Sequence, residues 1–158
     1  MTDTSGAHGS RVIHSARIVD DGRITEDGWV RVEAGRVTER GTGDTWDAAD
    51  EIIDATVSAG QGAVLTPGFV DIHGHGGAGA AFDDGAEAIR TARAMHRAHG
   101  TTRAVVSFVT APLDDLARSV EMVADLMRTD ADILGSHLEA PFLDPGHHGA
   151  HEPTLLRD

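Results

Sequence analysis

Ala63-Val64-Leu65-Thr66-Pro67-Gly68-Phe69-Val70-Asp71-Ile72-His73-Gly74-His75-Gly76-Gly77 is the stretch whose reading decides the fold. A short apolar run meets a Pro-Gly break, a second apolar strand follows, and two histidines close it one residue apart. Side chains along a strand alternate with period two, so His73 and His75 point to the same side. Two imidazoles on one side of a strand's carboxyl end can reach one metal centre. The glycine-rich run from Gly74 to Gly79 places imidazole where a dinucleotide-binding turn needs bare backbone, and no Walker-type lysine follows it. Upstream, the chain reads as a small β module; downstream, as strand-helix-strand repeats.

Working back from this stretch, residues 1 to 10 are small and polar and are expected to form a disordered lead. Strand-like pieces follow at Arg11–His14, Ala16–Val19, Gly28–Glu33 and Arg36–Glu39. Asp20-Asp21-Gly22 and Ala34-Gly35 supply the turns between them. A polar connection from Gly41 to Asp50 leads to two more short strands, at Glu51–Asp54 and Ala63–Leu65. Residues 11 to 65 thus form a β-rich module with little to bury on its own.

Working forward, Phe69–Ile72 is a strand whose end carries the histidines. Asp83 and Asp84 can cap a helix from Ala86 to His99, with Ala88, Ile89, Ala92, Met95 and Ala98 on its apolar face and Gly100 ending it. Arg103 to Val109 is a mostly apolar strand of the kind covered on both faces. Thr110 is placed to cap the next helix, with Pro112 in its first turn. Leu113, Leu116, Val120, Val123 and Met127 recur at spacings of three and four, an amphipathic stripe. Ile133 to Leu138 is a third strand, ending at Glu139, and a loop-like tail rich in proline and glycine runs from Ala140. Strands separated by helices imply parallel pairing with right-handed crossovers, which an open α/β sheet and an incomplete barrel both satisfy.

Charge narrows the partners. The 158 residues carry 26 acidic and 13 basic side chains, a formal charge of -13. That balance argues against nucleic acid and against an anionic membrane surface, while a locally positive pocket can still take a small anionic substrate. There is no cysteine, so a metal site must use histidine, carboxylate or backbone oxygen. Apolar runs are too short for a membrane span and no signal segment opens the chain, so the cytoplasm is the expected compartment.

His73, His75 and Glu139 all fall at carboxyl ends of the expected parallel strands, where such sheets and barrels build their sites. Two imidazoles and a carboxylate suit zinc or another divalent transition metal, which polarises a carbonyl and makes water a nucleophile near neutral pH. Asp71 shares the parity of the pair and reads equally as a further ligand or as structural support one layer deeper on the same face, holding neighbouring backbone or an outer histidine as metal sites usually require. His137 shares a side with Glu139, either lining the pocket or packing below it. His147, His148 and His151 follow in a glycine-containing loop able to close over an anionic ligand, with His147 read as a solvated loop residue. Met95, His96, Arg97 and His99 read as ordinary helix residues. Asp114 and Asp115 read as first-turn charges that favour the helix dipole.

Three segments carry a family resemblance: Leu65 through Gly76, Ser136-His137-Leu138-Glu139-Ala140-Pro141-Phe142, and Gly149-Ala150-His151. The chain resembles the amino-terminal part of the N-acetylglucosamine-6-phosphate deacetylases, in the amidohydrolase superfamily. The first segment is shared across that superfamily, including dihydroorotases and hydantoinases; the other two are more specific to the sugar-phosphate deacetylases. Ala140 departs from the glycine usual in the motif.

The resemblance implies an α/β chain: the first three strands of a metal-dependent hydrolase (β/α)8 barrel in residues 66 to 158, preceded by part of a small β-sandwich in residues 11 to 65. It implies His73, His75 and Glu139 as metal ligands and Ala150 and His151 as substrate contacts. The cofactor would be one or two divalent ions, Zn2+ before Fe2+, Mn2+ or Co2+. The reaction would hydrolyse N-acetylglucosamine 6-phosphate to glucosamine 6-phosphate and acetate, the complete protein being a homodimer. Another amidohydrolase acting on a cyclic amide, or a non-catalytic metal-binding or subunit-interaction fragment, are the alternatives. Further histidine ligands, the catalytic aspartate and the phosphate-binding residues are expected beyond the third barrel strand, so the isolated chain is expected to lack activity. An open part of a barrel leaves an unpaired edge and uncovered apolar faces, so the chain alone is also expected to fold poorly or self-associate.

Overall fold

Period-two patterning turns into a sheet wherever a tight turn lets two such runs meet, and the first third of the chain does this repeatedly. The computed structural model describes residues 9–157. Contacts divide the chain into one unit ending at Pro67 and a second beginning at Gly68.

In the first unit β1 (Arg11–Asp20), β2 (Arg23–Glu33) and β3 (Arg36–Thr42) form an antiparallel meander. β4 (Glu51–Asp54) and β5 (Val64–Leu65) both run parallel to β1, giving one five-stranded sheet. The hairpins turn at Asp21-Gly22 and Ala34-Gly35, all four with positive φ, the geometry that matches strand twist in two-residue hairpins. The two pieces expected at Arg11–His14 and Ala16–Val19 are one strand, kinked at Ser15 (φ 57) with a register shift between Ile13 and Ala16. β3 runs on to Thr42, so the polar connection starts at Gly43 rather than Gly41.

Side chains fasten that connection. Arg31, buried, donates from Nη2 to the carbonyls of Asp47 (2.6 Å) and Ala48 (3.2 Å), and Trp29 Nε1 donates to Thr45 Oγ1 (3.0 Å). A short helix absent from the sequence reading, α1 (Ala55–Ala59), follows β4 because the Asp54 carboxylate accepts from Thr56 N at 2.8 Å. The core here is thin, built on Ala16, Ala55 and Ala63. Of the expected disordered lead only Gly9 and Ser10 are among the described residues, and Ser10 N donates to Asp50 Oδ2 at 2.7 Å.

The second unit begins with β6 (Phe69–Asp71), followed by a small hairpin of β7 (Gly76–Gly77) and β8 (Ala80–Ala81). Then come α2 (Ala86–Ala98), β9 (Thr101–Phe108), α3 (Leu113–Leu126) and β10 (Ile133–Leu138). The three longer strands pair in parallel in the order β10-β9-β6, so the strand-helix-strand reading holds. The sheet is not closed into a barrel.

Its core joins Phe82, Ile89 and Ala92 to Val106, Phe108, Leu116, Val123, Leu126 and Ile133. Each large side chain so buried contributes about 1.5–3 kcal/mol relative to exposure. Leu126 rather than Met127 completes the α3 stripe, and Leu113 stays exposed. Both expected helix caps are corrected. Gly85 (φ 105) is the N-cap of α2, while Asp83 and Asp84 lie in a 3-10 turn before it. α3 starts at Leu113 after Pro112, with no side-chain cap, and Thr110 is engaged elsewhere. At the amino-terminal ends of the strands the buried Arg93 of α2 donates to Thr101 O (3.0 Å) and Asp132 Oδ2 (3.3 Å), tying helix, β9 and the approach to β10 together. Among the described residues no helix is long and apolar enough to cross a membrane.

Candidate metal centre

β6 stops at Asp71, and Ile72 and His73 form a bend rather than more strand. Period-two alternation therefore does not carry Asp71 to the side of the histidines. Asp71 Oδ1 accepts from His73 N at 3.1 Å, while Oδ2 lies 3.8 Å from His96 Nδ1 on α2. His96, read from sequence as an ordinary helix residue, also hydrogen-bonds Gly76 O through Nε2 at 3.1 Å. Asp71 and His96 together brace the glycine-rich bend from below.

Braced in this way, His73 and His75 converge on the end of β10. Their Nε2 atoms are 3.1 Å apart, and Glu139 Oε2 lies 3.0 Å from His75 Nε2 and 3.6 Å from His73 Nε2. Glu139 is placed by its own amide, which donates to Phe108 O at 3.3 Å and so extends the β9–β10 pairing by one residue. His75 Nδ1 is buried and has no hydrogen-bond partner among the described residues.

Burial works against ionisation of Glu139. The electrostatic attraction of His151, His73 and His75 outweighs it and holds the carboxyl below its ordinary value. The centre thus offers an anionic oxygen and two imidazole nitrogens, all within 4.8 Å of one another. Zinc-to-ligand lengths of about 2.0–2.1 Å put tetrahedral donors about 3.3–3.4 Å apart, and the observed spacings straddle that value. Two imidazole nitrogens facing each other at 3.1 Å have at most one proton to share between them, whereas a divalent cation accepts both lone pairs. The donor set fits such an ion.

The loop beyond β10 brings the other sequence candidates to the same place. A cavity of about 680 Å3 is lined by His75, Thr110, Glu139, His148, Ala150 and His151, among others. His151 is nearly buried, with Nε2 3.7 Å from Glu139 Oε2 and Nδ1 2.5 Å from Thr110 Oγ1. Thr110 is therefore a support for the loop rather than a helix cap. His148 Nδ1 bonds His151 O at 3.1 Å, fixing the turn, and His147 is solvated and pairs with Asp144 at 3.0 Å. His137 stands behind the pair, its ring 5.0 Å from that of His73 and its Nδ1 3.1 Å from Ser107 Oγ. Ser107 went unnoticed in the sequence. The one signal was a lone hydroxyl inside the apolar run Ala104-Val105-Val106-Ser107-Phe108-Val109.

Parallel strands linked by helices, with a His/His/Glu cluster at their carboxyl ends, define a mixed α/β fold of the amidohydrolase type, present here as an open sheet. No protein-family model matches the chain. Within that class it matches sugar-phosphate deacetylases in sequence and structure, over part of their length. It is 36% identical over 115 residues to the N-acetylgalactosamine-6-phosphate deacetylase of Escherichia coli O157:H7, covering 70% of this chain and 30% of that protein. To the N-acetylglucosamine-6-phosphate deacetylase of Danio rerio it is 31% identical over 135 residues, covering 82% of this chain and 32% of that protein. A solved variant of the N-acetyl-D-glucosamine-6-phosphate deacetylase from Mycobacterium smegmatis, in complex with N-acetyl-D-glucosamine-6-phosphate, superposes with a TM-score of 0.81 at 36% identity. That match covers 97% of this chain and 38% of the other. The chain spans roughly a third of the length of the curated relatives it matches.

Proposed function

We propose that this chain is the amino-terminal portion of a metal-dependent amidohydrolase that removes the acetyl group from N-acetylglucosamine 6-phosphate. The observation that carries the reading is the convergence of His73, His75 and Glu139, the last two of which line the cavity together with Ala150 and His151. In this reading His73, His75 and Glu139 hold a divalent metal ion, Zn2+ being the best match to two nitrogens and one oxygen. A metal bound there polarises an amide carbonyl and lowers the pKa of water.

The chain's own residues do the rest of what can be assigned. Glu139 supplies the negative charge that keeps two imidazoles and a cation together. Thr110 fixes one nitrogen of His151, so the other faces Glu139 and the cavity, where a sugar hydroxyl or an acetyl oxygen would meet a polar partner. Ala150 offers no bulk beside it, which leaves room for a pyranose ring. The relatives include deacetylases of both N-acetylglucosamine and N-acetylgalactosamine phosphates, and the reading takes the first as substrate on the likeness, at 36% identity over 97% of this chain, to an enzyme solved with N-acetyl-D-glucosamine-6-phosphate.

The test is acetate release from both sugar phosphates by the intact protein that carries this chain, alongside its metal content. Turnover with N-acetylglucosamine 6-phosphate, lost together with bound metal in Glu139→Gln, is the expected result. Metal content indifferent to both Glu139→Gln and His75→Asn would overturn the assignment of the centre.

A further inference from the structure

Ser107 is completely buried in β9 and grips the residue between the two histidines from both sides. Its amide donates to Gly74 O at 3.1 Å, and its hydroxyl oxygen accepts from Gly74 N at 3.3 Å. A serine hydroxyl has one proton and two lone pairs, and a backbone N–H can only donate. The Gly74 amide therefore occupies a lone pair, and the Ser107 proton must find an acceptor in a place water does not reach. Among the described residues the acceptor in hydrogen-bond reach is His137 Nδ1, at 3.1 Å.

We infer that Ser107 and His137 are positioning residues behind the histidine pair: Ser107 Oγ donates to His137 Nδ1, which fixes neutral His137 with its proton on Nε2 and makes it a hydrogen-bond donor beside His73 rather than a metal ligand. The same serine sets the backbone of Gly74, and so the convergence of His73 and His75. His137 packs its ring 5.0 Å from the His73 ring at an interplanar angle of 63°, which limits rotation of that ligand. The effect on metal binding rests on the proposed centre; the hydrogen-bond assignment rests on Ser107 alone.

Nitrogen-resolved NMR of the metal-free intact protein that carries this chain, at about pH 8, where ordinary imidazoles are neutral, reads the tautomer directly. The expected result is His137 protonated on Nε2, with that preference lost in Ser107→Ala and kept in Ser107→Thr. A wild-type His137 protonated on Nδ1 would overturn the inference.

Cobalt substitution supplies a second readout that does not need Ser107→Ala to fold. His137→Asn should leave the cobalt absorption pattern unchanged, whereas His73→Asn should alter it. A changed pattern in His137→Asn would make His137 a ligand and sink the proposal. In a folded Ser107→Ala, cobalt affinity should fall by about 10–100-fold, the range usual for groups that orient ligands, and an unchanged affinity counts against the positioning role. Should His73→Asn leave the spectrum untouched, the metal-centre reading fails, and the tautomer measurement still decides the assignment of Ser107 and His137.

Discussion

Glu139 sits among three imidazoles, and its depressed pKa records the attraction. Replacing it with glutamine keeps the shape and removes the charge, so metal affinity should fall by more than the roughly 10–100-fold typical of orienting partners. Isothermal titration with Zn2+ measures this, and an unchanged dissociation constant would count against coordination. A second carboxylate gives a prediction about stability. Asp130 is held below its ordinary pKa by a hydrogen bond from Arg90 and another from Thr129, against the opposing effect of burial. A carboxyl with a lower pKa folded than unfolded stabilises the fold fully above about pH 4, and loses that contribution as pH falls through the folded value. Urea unfolding should show Asp130→Asn less stable than the parent at pH 7, with the gap closing as the solution is acidified. A gap that does not change with pH would mean that the charge is immaterial. The clustering of His73, His75 and Glu139 was legible because their spacing and the ends of the expected strands bring them to one place. Ser107 and His96 were not, since a hydroxyl in a strand or a histidine in a helix acquires meaning only from what lies across from it.

At the scale of elements, the glycine-rich bend is the part that sequence described least. β7 and β8 are two residues each, and strands that short display no alternation to read. Their pairing depends on Gly76, which has φ 150 and where a Cβ would stand 2.2 Å from Ala80 O. Gly76→Ala should therefore force the hairpin open, costing about 1–3 kcal/mol and weakening metal binding, because His75 is the adjacent residue. Thermal unfolding and zinc titration on one preparation test both halves of this; full stability in the variant would refute it. The helices were legible as elements from their stripes of apolar residues, but their starts were not. Gly85 enters α2 through positive φ, and nothing on its side chain announces it. Phe82, only 1% exposed, locks the 3-10 turn ahead of α2 into the core with Ile89 and Val106. Truncation in Phe82→Ala should cost about 3–5 kcal/mol in denaturant unfolding. A loss below about 1 kcal/mol would place the ring outside the cooperative core.

For the molecule as a whole, the overall charge and the open sheet make opposing demands. The formal charge of -13 keeps copies apart, yet Val70 is 56% exposed, Ile72 73% and Phe69 68% along and just beyond a strand of the parallel sheet. Apolar residues on sheets of this kind are normally covered, and uncovered ones associate. Sedimentation velocity should find the chain self-associating more strongly as salt screens its charge, and Ile72→Lys should reduce the effect. A monomer at all salt concentrations would show the patch to be inert. The repeated strand-helix order made the parallel sheet legible in advance. The extent of exposure was not, because alternation says which residues share a face and nothing about what covers it.

The buried Arg93 clamp holds the starting ends of β9 and β10, whereas the histidines and Glu139 occupy the opposite ends. Cohesion and chemistry are therefore kept at separate poles of the same three strands. The segment from Leu143 to Glu152 lies at the histidine end, so replacing it should leave in place the guanidinium that ties the scaffold together. Such a division separates the part of the second unit that holds its strands together from the part that is free to vary in its loops.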